Sequence, residues 1–253
     1  VVEIDPSNKR VRVKNLDDET DFWEDYEDLL IATGASPIVP KIENINAPEI
    51  FSLSTLQSGI NVFRFIEENK PKKAVIVGGG YIGIEMAEAF LERSMEVVLI
   101  DMAPQLMNTL DNEVAALILK YMKEHKVKVH LEEKLVRFET DQYGHLKSVI
   151  TDKQTIDADI VILGMGIKPN TKIAANAGIK LGANNAIQVN KRLETSIPNI
   201  WAAGDCAESF HLVTKTQVHI ALGTVANKHG LVAGINIGGG KAEFPGVLGT
   251  AIT

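Results

Sequence analysis

One local pattern restricts the folds open to this chain more than any other. An apolar strand, Ala74-Val75-Ile76-Val77, runs into Gly78-Gly79-Gly80-Tyr81-Ile82-Gly83. An amphipathic helix from Tyr81 to Arg93 follows, and then a second apolar strand, Glu96-Val97-Val98-Leu99-Ile100. Strands with no polar alternation need cover on both faces, which is the habit of parallel sheets. A glycine triplet spaced G-x-G-x-x-G is a weak signal alone, but here it closes a strand and opens a helix. In that setting Gly78 makes the tight turn and Gly80 lets a pyrophosphate approach the backbone. Gly83 lets the helix lie close to the strand. The first helical residues, Tyr81 and Ile82, present N–H groups and a partial positive charge to phosphate.

Asp101 supports that reading. It ends the second strand, where a carboxylate accepts hydrogen bonds from the adenosine ribose hydroxyls. It also repels a 2′-phosphate. At ~5 Å and an effective dielectric of ~20 the repulsion is about 3 kcal/mol per unit charge. That is about a hundredfold preference for NAD(H) over NADP(H). The alternative is a phosphate-free turn followed by a surface aspartate.

The rest of the chain reads as strands and helices in alternation. Residues 1–30 give short strands with Val11 and Val13 at period two, and Leu29 to Ala32 forms an apolar strand. A helix is expected over Gly59–Asn69, and Pro71 closes a linker. Beyond Asp101 a helix spans Asn112–Glu124, with strands at Val127–Leu131, Lys134–Glu139, His145–Thr151 and Asp159–Leu163. Residues 187–203 return to strand, and Leu222–Ile235 forms a last helix with Lys228-His229 facing solvent. The expected fold is α/β: a Rossmann-like NAD-binding domain, with a parallel sheet and a β-meander, flanked by other segments. The formal charge is −7, which disfavours broad nucleic-acid or anionic-membrane binding. No apolar run nears the ~20 residues of a bilayer span. The single cysteine, Cys206, excludes an internal disulfide framework and a CxxC pair and reads as a small buried thiol. A reduced, cytoplasmic setting is the expectation. The six histidines show no HxH or HxxxH spacing, so no metal site is expected.

Four segments carry a resemblance to a known family. They are Tyr26-Glu27-Asp28-Leu29-Leu30-Ile31-Ala32-Thr33-Gly34-Ala35, then Ala74 to Glu85 with Asp101, then Gly164-Met165-Gly166-Ile167-Lys168-Pro169-Asn170, and Pro198-Asn199-Ile200-Trp201-Ala202-Ala203-Gly204-Asp205-Cys206. In order and spacing they resemble the pyridine nucleotide-disulfide oxidoreductases, flavoproteins that bind two dinucleotides. Ala221 to Gly230, with Phe244 to Thr250, is similar to the branch of NADH oxidases and coenzyme A disulfide or persulfide reductases. The resemblance implies that Gly204 and Asp205 contact the ribityl chain of FAD, and that the helix starting at Leu222 and Gly223 points N–H groups at the flavin. It implies that Thr33 and Gly34 form a hinge between the FAD and NAD portions. Gly166 falls in the turn over the nicotinamide, and Tyr81 is the aromatic that yields to it; the plain alternative for Tyr81 is a surface residue at a helix start.

The family's own first FAD-binding βαβ unit, its redox cysteine and its C-terminal dimerisation domain have no match in this sequence. The expectation is therefore a fragment. Residues 1–71 and 188–253 would be partial FAD-type segments and residues 72–187 the NAD(H)-binding domain. Such a chain is expected to bind NADH and to hold FAD weakly or not at all. The intact enzyme would move hydride from NADH to flavin and on to a thiol, disulfide or oxygen. Its partners would be small molecules, NADH with a CoA-type disulfide or oxygen, and it would be a homo-oligomer touching neither nucleic acid nor membrane. No residue of this chain is assigned a catalytic role. Two other readings stay open: a catalytically silent NAD-binding module, or a ferredoxin- or nitrite-reductase-like relative that needs no catalytic cysteine.

Overall fold

The computed structural model describes residues 1–250. The chain opens with β1 (Glu3–Asp5), β2 (Arg10–Lys14), β3 (Asp21–Asp25), β4 (Leu29–Ile31) and β5 (Ala35–Pro37). Next come β6 (Ile50–Ser52), α1 (Leu56–Asn69), β7 (Lys73–Val77), α2 (Tyr81–Glu92), β8 (Glu96–Ile100), α3 (Asn112–Glu124) and β9 (Lys128–His130). β10 (Leu135–Thr140), β11 (Leu146–Thr151), β12 (Thr155–Asp157), β13 (Ile160–Leu163) and β14 (Ile167–Pro169) follow. The chain continues with α4 (Lys172–Asn176), β15 (Ile200–Ala202), β16 (Ser209–Phe210), β17 (Gln217–Val218) and α5 (Gly223–Ile237). These elements gather into two compact units. A middle unit holds Pro37–Ile167, and a terminal unit joins Val1–Ser36 to the described residues from Lys168 onward.

The middle unit is built on a five-stranded parallel sheet in the order β6-β13-β7-β8-β9. In β7, Val75 pairs with Val161 on one side and Val98 on the other. Period-two alternation sends successive residues to opposite faces. Ala74, Ile76, Val97, Leu99, Ile160 and Ile162 pack with Val62, Ile66, Phe90 and Met122 of the helices. Val75, Val77, Ile100, Val161 and Leu163 pack with Phe138 and Val149 of the β10-β11-β12 meander. Both faces are thus covered, which is why Ala74–Val77, Val97–Ile100 and Ile160–Leu163 are apolar throughout, with Lys73 and Glu96 only at the strand starts. β8 and β9 extend the sheet from one side of β7 and β13 from the other. The order therefore reverses at the end of β7, the position where open α/β sheets leave a crevice for ligands.

The terminal unit has no large sheet. β1-β2-β3 form an antiparallel sheet, β4 and β15 a parallel pair, and β16 and β17 a hairpin-like pair. Its core is assembled from distant segments, with Ile31, Ile187, Leu193, Ile200, Val225 and Ala233 in one cluster.

Several expectations need correction. α1 begins at Leu56, not Gly59, because Thr55 and Ser58 form a capping box: Ser58 N donates to Thr55 Oγ1 (3.1 Å) and Thr55 N donates to Ser58 Oγ (3.0 Å). A serine in the place usual for Glu or Gln hides that signal. The expected strand over 187–203 reduces to Ile200–Ala202 and isolated bridges at Ile187, to Leu181 and Ala207, and at Glu194, to Trp201. Asn190 breaks it. Its Oδ1 accepts from the N–H groups of Arg192 (2.9 Å) and Glu194 (3.1 Å), and its Nδ2 donates to Glu194 (2.6 Å). Such Asx turns compete with strand pairing. The sequence pattern gives no sign of α4, nor of the short strands β5, β6, β12, β14, β16 and β17. The edges of the two compact units fall at 36/37 and 167/168, and β6, paired with β13, draws the linker into the middle unit.

Candidate functional site

The glycine loop lies at the reversal point of the parallel sheet, and its three motif glycines are required for different reasons. Gly78 has φ +111°, and a Cβ on it would run into the Gly164 carbonyl. A Cβ on Gly83 would collide with the Gly78 carbonyl, so α2 lies against the end of β7 only because Gly83 has no side chain. Gly80 has neither excuse: a Cβ there would meet nothing within 4 Å. It is the N-cap of α2, and no side chain caps that helix start. The first N–H groups of α2 thus lack a side-chain acceptor in a place where the backbone stands open. A helix start of that kind favours an anion.

Gly79 and Asp101 form the second part. Asp101 Oδ2 accepts from the Gly79 N–H (2.6 Å) and Oδ1 accepts from the Ala103 N–H (2.8 Å). The carboxylate therefore ties the glycine loop to the turn after β8. Two oxygens carry about four acceptor positions, so acceptor capacity remains for ribose hydroxyls. The following turn is anchored as well: Met107 N donates to the Gly79 carbonyl (2.8 Å), and Leu106 and Met107 are buried.

These groups line one cleft of about 440 Å³ within the middle unit. Gly78, Gly80, Tyr81 and Asp101 line it. Gly83 lies just beneath the loop. Ile82 instead packs against the core cluster that contains Phe90. Gly166 (φ +89°) is not a lining residue, whereas its neighbours Gly164 and Met165 are; its carbonyl accepts from the Ile38 N–H (2.9 Å). The cleft also takes in Pro40, Ile42, Met107, Glu133, Lys134 and Leu135, which motif reading missed. Met107 follows the carboxyl end of β8 and Glu133, Lys134 and Leu135 that of β9, so strand order, not local spacing, brings them in. Glu133 is buried there. Its Oε1 accepts from Thr151 Oγ1 (2.7 Å) and Gln154 Nε2 (2.9 Å).

The other expected site residues fall in the terminal unit. Thr33 and Gly34 are laced to Asn170: Thr33 Oγ1 donates to the Asn170 carbonyl (2.6 Å), Asn170 Nδ2 to the Thr33 carbonyl (2.9 Å), and Asn170 N to the Gly34 carbonyl (2.9 Å). Gly204 and Asp205 form a tight turn with Gly204 at φ +76°. Two histidines hold it. His219 Nε2 donates to the Asp205 carbonyl (2.7 Å), and the Gly204 N–H donates to His229 Nδ1 (3.3 Å). Leu222 is the N-cap of α5 and Gly223 its first residue, with no side-chain cap.

His229 corrects an expectation. It does not face solvent but is fully buried, edge-on to Phe244 at 4.5 Å between ring centroids. Burial pushes its pKa down to about 4, so the ring is neutral. Cys206 is fully buried, with its Sγ directed at the carbonyls of Ile31 (3.4 Å) and Ala203 (3.3 Å), as expected of a packed thiol. Among the described residues no cluster of His, Cys, Asp or Glu is arranged to hold a metal, and no helix is long and apolar enough to cross a membrane.

The family model for pyridine nucleotide-disulphide oxidoreductases matches residues 1–230. The NAD(P)H sulfur oxidoreductase (CoA-dependent) of Pyrococcus furiosus is 39% identical over 254 residues, covering 100% of this chain and 56% of that protein. The solved NAD-dependent persulfide reductase of A. fulgidus superposes with TM-score 0.90 at 37% identity, over 98% of this chain and 46% of the other. The water-forming NADH oxidase of Lactobacillus brevis, solved bound to NADH, gives TM-score 0.89 at 30% identity over 97% of this chain and 54% of that one. The chain spans about half the length of the curated relatives it matches.

Proposed function

The chain belongs to the pyridine nucleotide-disulphide oxidoreductase family, and from that premise we propose that it carries the NADH-binding part of a flavin-dependent oxidoreductase of the NADH oxidase and CoA-persulfide reductase type. The observation that carries the proposal is Gly80. It has no folding reason to be glycine, stands in open space, and begins a helix whose first N–H groups no side chain caps. A pyrophosphate fits that cradle by charge and by shape. Asp101, in the same cleft, takes the adenosine ribose and disfavours a 2′-phosphate. Tyr81 stands at the first position of α2 on the lining of the cleft.

When bound, the nicotinamide would supply a hydride, and a flavin would supply the redox chemistry that links it to a sulfur-class acceptor or to oxygen. In this chain the flavin-facing residues are Gly204, Asp205 and the start of α5 at Leu222 and Gly223. Their fit rests on the left-handed Gly204 turn and on the uncapped helix start. Cys206 is the only cysteine, and it is sealed in the core. It therefore serves packing, and the thiol chemistry of the relatives is assigned to no residue here. By this reading residues 72–187 are the NAD(H) portion and the flanking segments belong to the flavin portion.

The test is a fluorescence titration of the purified chain with NADH and with NADPH. NADH is expected to bind about a hundredfold tighter. Asp101→Asn removes the charge and should shrink that ratio to below about tenfold, mainly through tighter NADPH binding. Equal binding of the two nucleotides by the unsubstituted chain would overturn the assignment of Asp101.

A further inference from the structure

The Gly204–Asp205 turn is short and is closed by one backbone hydrogen bond of its own, from the Ala207 N–H to the Gly204 carbonyl (3.0 Å), which leaves the Gly204 N–H and the Asp205 carbonyl to find partners elsewhere. Gly204 sits at φ +76°, a conformation that costs glycine little and fixes it little. Both ends of the Gly204–Asp205 pair are instead held by imidazoles that arrive from elsewhere in the chain. The N–H of Gly204 can only donate, so His229 Nδ1 accepts it (3.3 Å). The neutral ring then carries its proton on Nε2 and donates to Ser209 Oγ (3.2 Å). The Asp205 carbonyl can only accept, so His219 Nε2 donates to it (2.7 Å). His229 lies on α5 itself, two turns inside the helix, and its ring is locked edge-on against Phe244 at 83°. It therefore fixes the turn to the same helix whose start lies at Leu222 and Gly223.

We propose that His229 and His219 are positioning residues: a two-histidine clamp that sets the Gly204–Asp205 turn, and with it the Asp205 carboxylate, in register with the start of α5. The inference deepens the flavin reading of this unit and rests on it for its functional meaning. The clamp itself is a statement about the turn alone. Burial favours the neutral ring that an acceptor Nδ1 requires. The charged or titratable residues on the packed segments are Asp205 and Glu208 beside the turn, Lys228 on α5 and Glu243 beside Phe244.

Amide hydrogen exchange of the full chain tests the clamp. In His229→Gln the amide oxygen can accept from Gly204 and the amide nitrogen can donate to Ser209, so protection of the Gly204 amide should stay within about threefold of the unsubstituted chain. In His229→Leu the acceptor is lost, and that amide should exchange at least about tenfold faster. Ser209→Ala cuts the other side of the ring. It should lower the melting temperature yet leave Gly204 protected. If His229→Leu folds and keeps the Gly204 amide protected, or if the glutamine exchanges as fast as the leucine, the clamp is refuted. Should the leucine variant not fold, the glutamine and Ser209→Ala results decide: loss of Gly204 protection in His229→Gln with retention in Ser209→Ala refutes it, and retention in both supports it. A parallel FAD titration reports on the flavin reading separately. Affinity that follows the order of Gly204 protection supports that reading. Affinity that is measurable but indifferent to the variants sinks the flavin reading and leaves the clamp standing.

Discussion

The middle unit writes the motif at the centre of its cleft into one stretch of chain, whereas the terminal unit gathers its expected site residues and their anchors from four. From Val77 to Asp101 run the glycine loop, the helix start and the Asp101 carboxylate, all set by one βαβ crossover. In the terminal unit Thr33 and Gly34 depend on Asn170, and the Gly204–Asp205 turn depends on His219 and His229. The first arrangement needs local spacing and a covered parallel sheet. The second needs contacts between separate elements, Thr33 with Asn170 across 137 positions and Gly204 with His229 across 25. A site of the first kind survives wherever its sheet does, while a site of the second kind is only as ordered as its long-range contacts.

Removing the core beneath the glycine loop should have the largest effect. Phe90 is fully buried among the helices and the sheet. Phe90→Ala is expected to cost about 3–5 kcal/mol of stability. Denaturant melts followed by site-resolved exchange should show protection lost first across β7 and β8, with α5 less affected. Equal loss in both units would break the comparison.

Acid should act in the opposite place. His229 has a folded pKa near 4 against about 6.5 unfolded, so the unfolded chain binds the proton more readily. Its contribution is complete above about pH 6.5 and is lost as pH falls toward about 4, amounting to about 3 kcal/mol. His229→Gln should flatten the melting temperature across that window. A variant as acid-sensitive as the unsubstituted chain would assign the loss to other groups.

The glycine loop allows a finer cut. Gly83→Ala drives a Cβ into the Gly78 carbonyl and should cost about 1–3 kcal/mol. Gly80→Ala meets no atom of the protein and should change stability by less than about 0.5 kcal/mol. It should nevertheless weaken NADH binding about tenfold, because the new methyl occupies the path of the phosphate. Melting curves and NADH titrations of the pair separate a folding glycine from a binding glycine. If Gly80→Ala binds NADH normally, the cradle is misplaced.

The smallest effect belongs to His145 in the middle unit, whose Nδ1 lies 2.7 Å from Glu49 Oε1. The hydrogen bond and charge of Glu49 raise its pKa. The sign is therefore opposite to that of His229: the contribution is complete below about pH 6.5 and fades as pH rises through the raised folded value. His145 is mostly exposed, so only a slight loss of melting temperature toward alkaline pH is expected, and His145→Gln should remove it.

The sequence alone determined the parallel α/β unit, its glycine loop, Asp101 and the family resemblance. The first three rest on spacing within about two dozen residues or on a strand whose composition admits only burial, and the resemblance rests on four segments spread over most of the chain. It also marked the segments at Thr33, Gly166, Gly204 and Leu222, through resemblance rather than through periodicity. Tertiary structure decided what those segments touch. Asn170 laces Thr33, Asn190 turns what reads as strand, and Gly164 and Met165 rather than Gly166 line the cleft. His229 looks like a surface residue beside Lys228, yet it is buried, because α5 turns that face toward Gly204, Ser209 and Phe244. Helical periodicity says which residues share a face, but only the partner that covers the face says whether a histidine on it meets water or the backbone of a distant turn.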